Sequence, residues 1–422
     1  MGSVNRMLEG VPIPRFVKIK QKFDASCLED VAAAVRQELE RTEIVERIQP
    51  GMRIAITAGS RGVANLALVI RETVSFLKKH GAKPFVFPAM GSHGGAVAEG
   101  QLAIIHEYGV TEEYVGCPVI ATMETVCIGY LDDGRPIHIN RLAAEADGII
   151  ALNRIKPHTA FRGKYESGVM KMMTIGLGAQ LGAQVCHRQG IMHLGPNVEK
   201  FAFGILKHAK ILLGIGLVEN AFDRTCKVRV MTKEQIPLEE PGLLEEAKER
   251  MARILFDSVD VMIVDYIGKD ISGEGMDPNI SGRWIVPNIT GGIDAQRIGI
   301  LDITDETMGN VVGLGMADVC AKRVVEKMDR DTTYPNSLTS TVTSLCKIPM
   351  YFDNHKLTIQ AAIKMSAGVE PEEIAMIRIA HTLALDTIWI SENMVEQARK
   401  HPDIEIVGEP EELEFNAEGD LF

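Results

Sequence analysis

The residues best suited to chemistry fall in three short segments. GSHGG, at 91–95, sets His93 among small residues. NRIKPHTAFRGKYESGVMK, at 153–171, carries Arg154, Lys156, His158, Arg162, Lys164 and Lys171 against one acid, Glu166. CHRQG, at 186–190, contributes His187 beside a cysteine. Flanking glycines let a ligand approach the His93 ring and the backbone closely. In a chain of formal net charge −12, a basic segment of this density points to an anion site for a carboxylate or phosphate. The plain alternative is a solvated positive loop. Crowding by cations disfavours the charged form of His158, which then serves as a base at neutral pH. Imidazole also binds nickel, zinc, copper and iron, yet a lone histidine such as His187 is a weak metal signal. The chain has no HExxH motif and no tight carboxylate cluster. If a metal is bound, a cofactor must supply most of its ligands.

Two further loops are candidates. Ser60–Arg61–Gly62 follows a strand-like run and can cradle phosphate through Arg61 and the N–H groups at a helix start. It lacks the GxxxxGK[ST] pattern. KDISGEGMDPN, at 269–279, offers Asp277 and Asn279, equally as part of a site or as a surface turn. The GLG triplets at 176–178 and 313–315 do not complete GxGxxG and read as close-packing glycines.

The elements that must hold these residues alternate. A helix pattern over 27–48 precedes the apolar run RIAITAG at 53–59, a helix over 63–80, and a second run at 83–91. This is a βαβ unit, which makes a parallel sheet. The loops AGSRG and MGSHGG then lie at the carboxyl ends of its strands, where open parallel sheets bind ligands. A helix near 96–109, a hairpin over 129–141, a strand at 146–158, a helix at 197–210 and a strand from 211 follow. The Met- and Gly-rich stretch 170–190 has no readable period. A helix over 242–255 precedes a fresh set: strands at 259–268 and 297–303, helices at 312–328 and 335–346, and a strand at 373–382. The expectation is an α/β fold: two α/β domains with mostly parallel sheets, 1–257 catalytic and cofactor-binding, 258–422 completing a cleft between them.

Composition excludes several classes. Acidic charge disfavours nucleic acid and anionic membranes, and 5% aromatics gives no base-stacking platform. The longest apolar runs fall short of the roughly 20 residues of a membrane span. The amino terminus lacks the apolar core of a signal peptide. Seven scattered cysteines without a CxxC pair read as reduced thiols in a cytoplasmic protein.

Taken in order, the motifs resemble the lactate racemase family that uses a nickel-pincer nucleotide. His93 stands after a first-domain strand. Pro157–His158 leads to Ser167–Gly168 and Lys171, and His187 follows sixteen residues later. Ala58–Gly59–Ser60–Arg61 is similar to the family's phosphate loop, with Ala58 in place of its acid. The interval from His158 to Lys171 is about three residues longer than in the lactate enzymes, which leaves Lys164 as a second choice for the tether. The likeness spans roughly residues 50–290.

The resemblance implies a pyridinium mononucleotide with sulfur-bearing substituents, joined as a thioamide to Lys171. It implies nickel on a ring carbon, two sulfurs and His187, with His93 and His158 as acid and base. Ser60, Arg61, Asp277 and Asn279 would contact the cofactor. Arg154, Lys156, Arg162 and Lys164 would hold a small carboxylate substrate. The implied activity is racemisation or epimerisation of a 2-hydroxy acid, a sugar acid or hydroxy diacid among them, by hydride transfer. Dedicated maturation enzymes would supply the cofactor. Two rivals use the same cleft without a covalent pincer: a metal- or nucleotide-dependent hydrolase or lyase, and a non-catalytic anion or nucleotide binder. The specific substrate and the oligomeric state are left open.

Overall fold

Ile54, Ala55 and Ile56 are fully buried and build the middle of strand Arg53–Ala58. A run apolar on both faces is what a strand covered on both sides requires. It lies in a five-stranded sheet ordered Lys83–Pro88, Arg53–Ala58, Gly148–Arg154, Ile211–Glu219, Thr225–Thr232. The first four strands are parallel and the last is antiparallel. The computed structural model describes residues 2–60 and 62–422. Two compact units result: Asp24–Met251, and Met1–Phe23 with Ala252–Phe422.

In the first unit, helix Leu66–Lys79 buries Leu66, Val69, Ile70, Val74 and Leu77 and stops at His80, with Gly81 at φ +77° behind it. That left-handed residue is the expected stop. Chain order places strands 83–88 and 211–219 on opposite sides of the pair formed by 53–58 and 148–154. This pair is therefore the topological switch point. Backbone pairing between the two strands runs only from Ile54–Gly148 to Ile56–Ile150. Beyond it the strands part. The buried Thr57 hydroxyl then accepts the Leu152 N–H at 2.8 Å and donates to its carbonyl at 3.3 Å. Both polar groups stay satisfied in a dry interior while the crevice opens.

The second unit has an eight-stranded sheet, parallel through Met350–Phe352, Val319–Ala321, Asp294–Ile303, Ser258–Ile267 and Met376–Ile379, then antiparallel. The expected domain 1–257 differs at its start. Phe16–Gln21 pairs antiparallel with Thr387–Ser391 and Ile404–Ile406, which carries the first residues into this sheet. The expected helix at 312–328 is replaced by a turn at Leu314–Met316, strand Val319–Ala321 and helix Lys322–Glu326, because Val319, Cys320 and Ala321 are buried by sheet pairing. The helix expected at 242–255 runs over Ile236–Arg250, with Pro237 in its first turn and Pro241 inside it. The helix expected at 335–346 spans Arg330–Ser340, again across a proline. All seven cysteines are unbridged. Among the described residues no helix is long and apolar enough to cross a membrane.

Candidate active site

The switch point delivers the site. The loop leaving Arg53–Ala58 brings Ser60, and the loop leaving Lys83–Pro88 brings His93. The Ser60 hydroxyl meets Nδ1 of His93, whose ring is exposed. Gln101, 2% exposed, donates from Nε2 to the carbonyls of Gly91 and His93 at 3.0 and 3.1 Å. Gly94, at φ +64°, lies so close to the backbone of Gly100 and Gln101 that no side chain fits. That requirement explains the first glycine after His93, and Gly95 follows at φ +67°.

His158 stands on the loop leaving Gly148–Arg154. The loop is pinched at its base, where Lys156 and Ser167 exchange N–H···O bonds of 2.9 and 3.1 Å. Inside it, Glu166 is fully buried, and its Oε2 accepts the His158 N–H at 2.7 Å. Nδ1 of His158 accepts the Ala160 N–H at 2.9 Å, which places the proton of the neutral ring on Nε2. The ring stacks on Phe161 at 4.2 Å between centroids. Burial, then the charges of Lys171, His187, Lys156 and Arg162, hold His158 well below the usual histidine range. It is neutral at pH 7, and the charges of Lys171 and His187 reach it.

Lys171 ends the short helix Val169–Lys171 and is followed at once by a wide π-type turn, Met172–Gly176. Such turns often mark functional sites. Here the wide turn explains why 170–190 had no helical period. Helix Ala179–His187 then starts on Ala179 at φ +47° and ends on His187. Nδ1 of His187 lies 2.7 Å from the Ala183 carbonyl, which has only lone pairs to offer. Nδ1 must carry the hydrogen, so Nε2 presents its lone pair. Burial and the charge of Lys171 lower His187 and keep it neutral. This is the arrangement of a ligating histidine, oriented by a backbone acceptor. A Cβ on Gly91 would lie 3.3 Å from Ile175 and 3.5 Å from Ala183, so the His93 loop packs on the segment that carries His187. A Cβ on Gly59 would lie 3.3 Å from Met172 and 3.8 Å from Asn153, which joins the Ser60 loop to the same place.

Residues 14–197 match the lactate racemase N-terminal domain. That match relates this part of the chain to the lactate racemase family. The lactate racemase apoprotein from Thermoanaerobacterium thermosaccharolyticum superposes with a TM-score of 0.56 at 15% identity, over 88% of this chain and 99% of that one. At such identity the likeness establishes the shared fold. No curated protein matches the chain.

The family's cofactor can be tested against the residues present. His187 offers one neutral nitrogen and Lys171 one amine whose charge reaches it. Among the described residues no three His, Cys, Asp or Glu side chains group as a metal site. Cys186 is fully buried, and its thiol is pushed up to about 12, so it is no thiolate ligand. One protein imidazole beside one lysine fits a metal whose other ligands arrive on a tethered organic group.

The remaining sequence candidates divide. Arg154 pairs with Glu219, whose second oxygen accepts the Ala64 N–H at 2.7 Å. Arg162 donates to the His158 carbonyl at 3.0 Å and to Glu166 at 3.3 Å. Both arginines thus have internal acceptors, and they stiffen the loops. Lys156 is half-buried beside His158, while Lys164 is exposed with Nζ over the Tyr165 ring at 5.3 Å. Arg61 lies outside the described residues. Asp277 and Asn279 belong to the other unit. There Asp277 caps helix Pro278–Ser281, accepting the Asn279 N–H at 2.9 Å and its side-chain amide at 2.7 Å. The positioning residues Gln101 and Glu219 carried no sequence signal. Glu166 was visible only as the lone acid of a basic segment.

Proposed function

We propose that this chain racemises or epimerises a 2-hydroxy acid with a nickel-pincer nucleotide joined to Lys171. The observation that carries the proposal is that His158 and His187 are both held neutral, both under the charge of Lys171, with the His187 lone pair on Nε2. Lys171, half-buried and felt electrostatically by both histidines, is favoured as the tether over exposed Lys164. Ser60 and Arg61 would contact the nucleotide. Lys156, and the arginines where they can be drawn from their carboxylates, suit a substrate carboxylate.

The hydrogen on a hydroxyl-bearing carbon is a poor acid. It leaves as a hydride once the hydroxyl gives up its proton, and the product is a planar 2-keto acid. When bound, the cofactor supplies the hydride acceptor. His93, with Nδ1 against Ser60, takes the hydroxyl proton at Nε2 for one enantiomer. His158 serves the other, and must first give up the Ala160 bond so that Nε2 offers a lone pair. Return of the hydride to the opposite face, with a proton to oxygen, inverts the centre.

The test is intact mass with nickel analysis on chain produced alongside the family's maturation enzymes. The expected result is several hundred added daltons, lost in Lys171→Ala and kept in His187→Ala with nickel lost. His93→Ala and His158→Ala should keep mass and nickel and lose isomerisation. Wild-type chain with no added mass, or full activity in either histidine variant, overturns the proposal.

A further inference from the structure

Three residues of helix Ile236–Arg250 grip the segment that carries His158 and Lys171. Pro241 has no N–H, so the Pro237 carbonyl one turn earlier lacks its helical donor. The Tyr165 hydroxyl takes that place at 2.8 Å. Lys248 reaches Oε1 of Glu166 at 3.2 Å, and Glu166 in turn holds the His158 N–H. Glu240, 1% exposed, accepts the Met170 N–H on Oε2 at 3.0 Å. Glu240 and Lys248 stand eight residues apart, so both face one side of the helix.

Glu240 is the unusual member. It forms no ion pair among the described residues, and its Oε1 has no hydrogen-bond partner there. Burial pushes it up to about 8, with the N–H groups of Met170 and Val169 opposing. A surface-lying acid could cap a turn with far less desolvation, so its burial calls for an explanation in what it touches. Gly168 makes room for it, since any side chain there would collide with Oε1. The carboxyl therefore closes on the backbone of Gly168, Val169 and Met170, the three residues before Lys171.

We propose that Glu240 is the positioning residue for Lys171: it caps the turn that ends on that lysine and so sets where the amine is presented. The inference rests on the reading of Lys171 as the reactive lysine of the site, but its test does not need the cofactor. The apoprotein is treated with a limiting amine acylating reagent, and each lysine's labelling rate is read by peptide mass spectrometry. In Glu240→Ala the Lys171 rate should shift at least five-fold relative to wild type while Lys18, Lys79 and Lys364 hold theirs. Glu240→Gln keeps an acceptor for Met170 and places a donor at the partnerless oxygen, so it should restore the wild-type rate. Gly168→Ala, which displaces the same carboxyl from the other side, should reproduce Glu240→Ala and serves if that variant does not fold. Thermal melting checks folding, and a role in stability alone would lower the melting temperature without moving the Lys171 rate.

An unchanged Lys171 rate in folded Glu240→Ala or Gly168→Ala overturns the proposal, as does failure of Glu240→Gln to restore it. On chain made with the maturation enzymes, Glu240→Ala should also show a several-fold smaller tethered fraction. If wild type gains no mass either, the functional reading fails while the labelling still judges Glu240.

Discussion

The His93 loop and the His158 loop hold the same kind of side chain in opposite ways. His93 is exposed, meets a hydroxyl, and is held through backbone carbonyls by one amide, Gln101. His158 is fixed by its own N–H to a buried carboxylate, by Nδ1 to a backbone donor, and by its ring against Phe161. The first loop relies on glycine to bend tightly. The second relies on a charge, Glu166, that is buried because Arg162 and Lys248 meet it there. The first arrangement leaves its ring open to solvent exchange, and the second fixes its ring in tautomer and charge.

Removing the buried charge should have the largest effect. Glu166→Ala takes the buried carboxylate away from Arg162, Lys248 and the His158 N–H, and about 3 kcal/mol of stability should be lost. Urea unfolding measures it, and a loss under about 1 kcal/mol would put the His158 loop on the same footing as an exposed ion pair. The pH response comes next. His158 and His187 are lowered, so the folded chain binds fewer protons than the unfolded chain below pH ~6.5. Stability should fall as pH drops from there, by up to about 1.4 kcal/mol per unit for each group. Glu240, raised to about 8, acts with the opposite sign: its contribution is whole below its unfolded value of ~4.5 and is lost as pH rises through about 8. These three groups together place the optimum near pH ~6.5, and urea midpoints between pH 5 and 9 should peak there. His158→Phe should flatten the acid side, and an unaltered acid limb would contradict the neutral state argued for His158. The smallest effect concerns the open loop. Gln101→Leu leaves two carbonyls without their donor and should cost about 1–3 kcal/mol. In loaded enzyme it should lower kcat while nickel content holds, and a variant with wild-type kcat would show that Gln101 does not position His93.

Much of the site was legible because its residues announce themselves locally. GSHGG ends a strand whose apolar run is unmistakable, and the parallel arrangement follows from the alternation of strand and helix periods. The His158–Lys171–His187 order was readable for the same reason, being a matter of residue type and interval. Other features were hidden by the limits of local pattern. The turn Met172–Gly176 obeys neither a helical nor a strand period. Val319–Ala321 looks helical with its neighbours until a sheet claims it. Pro241 inside Ile236–Arg250 argues against a helix unless a side chain such as Tyr165 takes over the freed carbonyl.

The amino-acid sequence by itself determined the fold class, the crevice-forming strands and the candidate side chains, since these depend on periodicity and chemistry over a few residues. Only the tertiary structure decided their states. The neutrality of His158 comes from burial and surrounding cations, its tautomer from Ala160, the lone pair of His187 from Ala183, and the setting of the turn before Lys171 from Glu240. Protonation and orientation are fixed by desolvation and hydrogen-bond partners, and Glu240 lies seventy positions along the chain from the Met170 N–H it accepts. No local pattern encodes a partner that folding alone brings near.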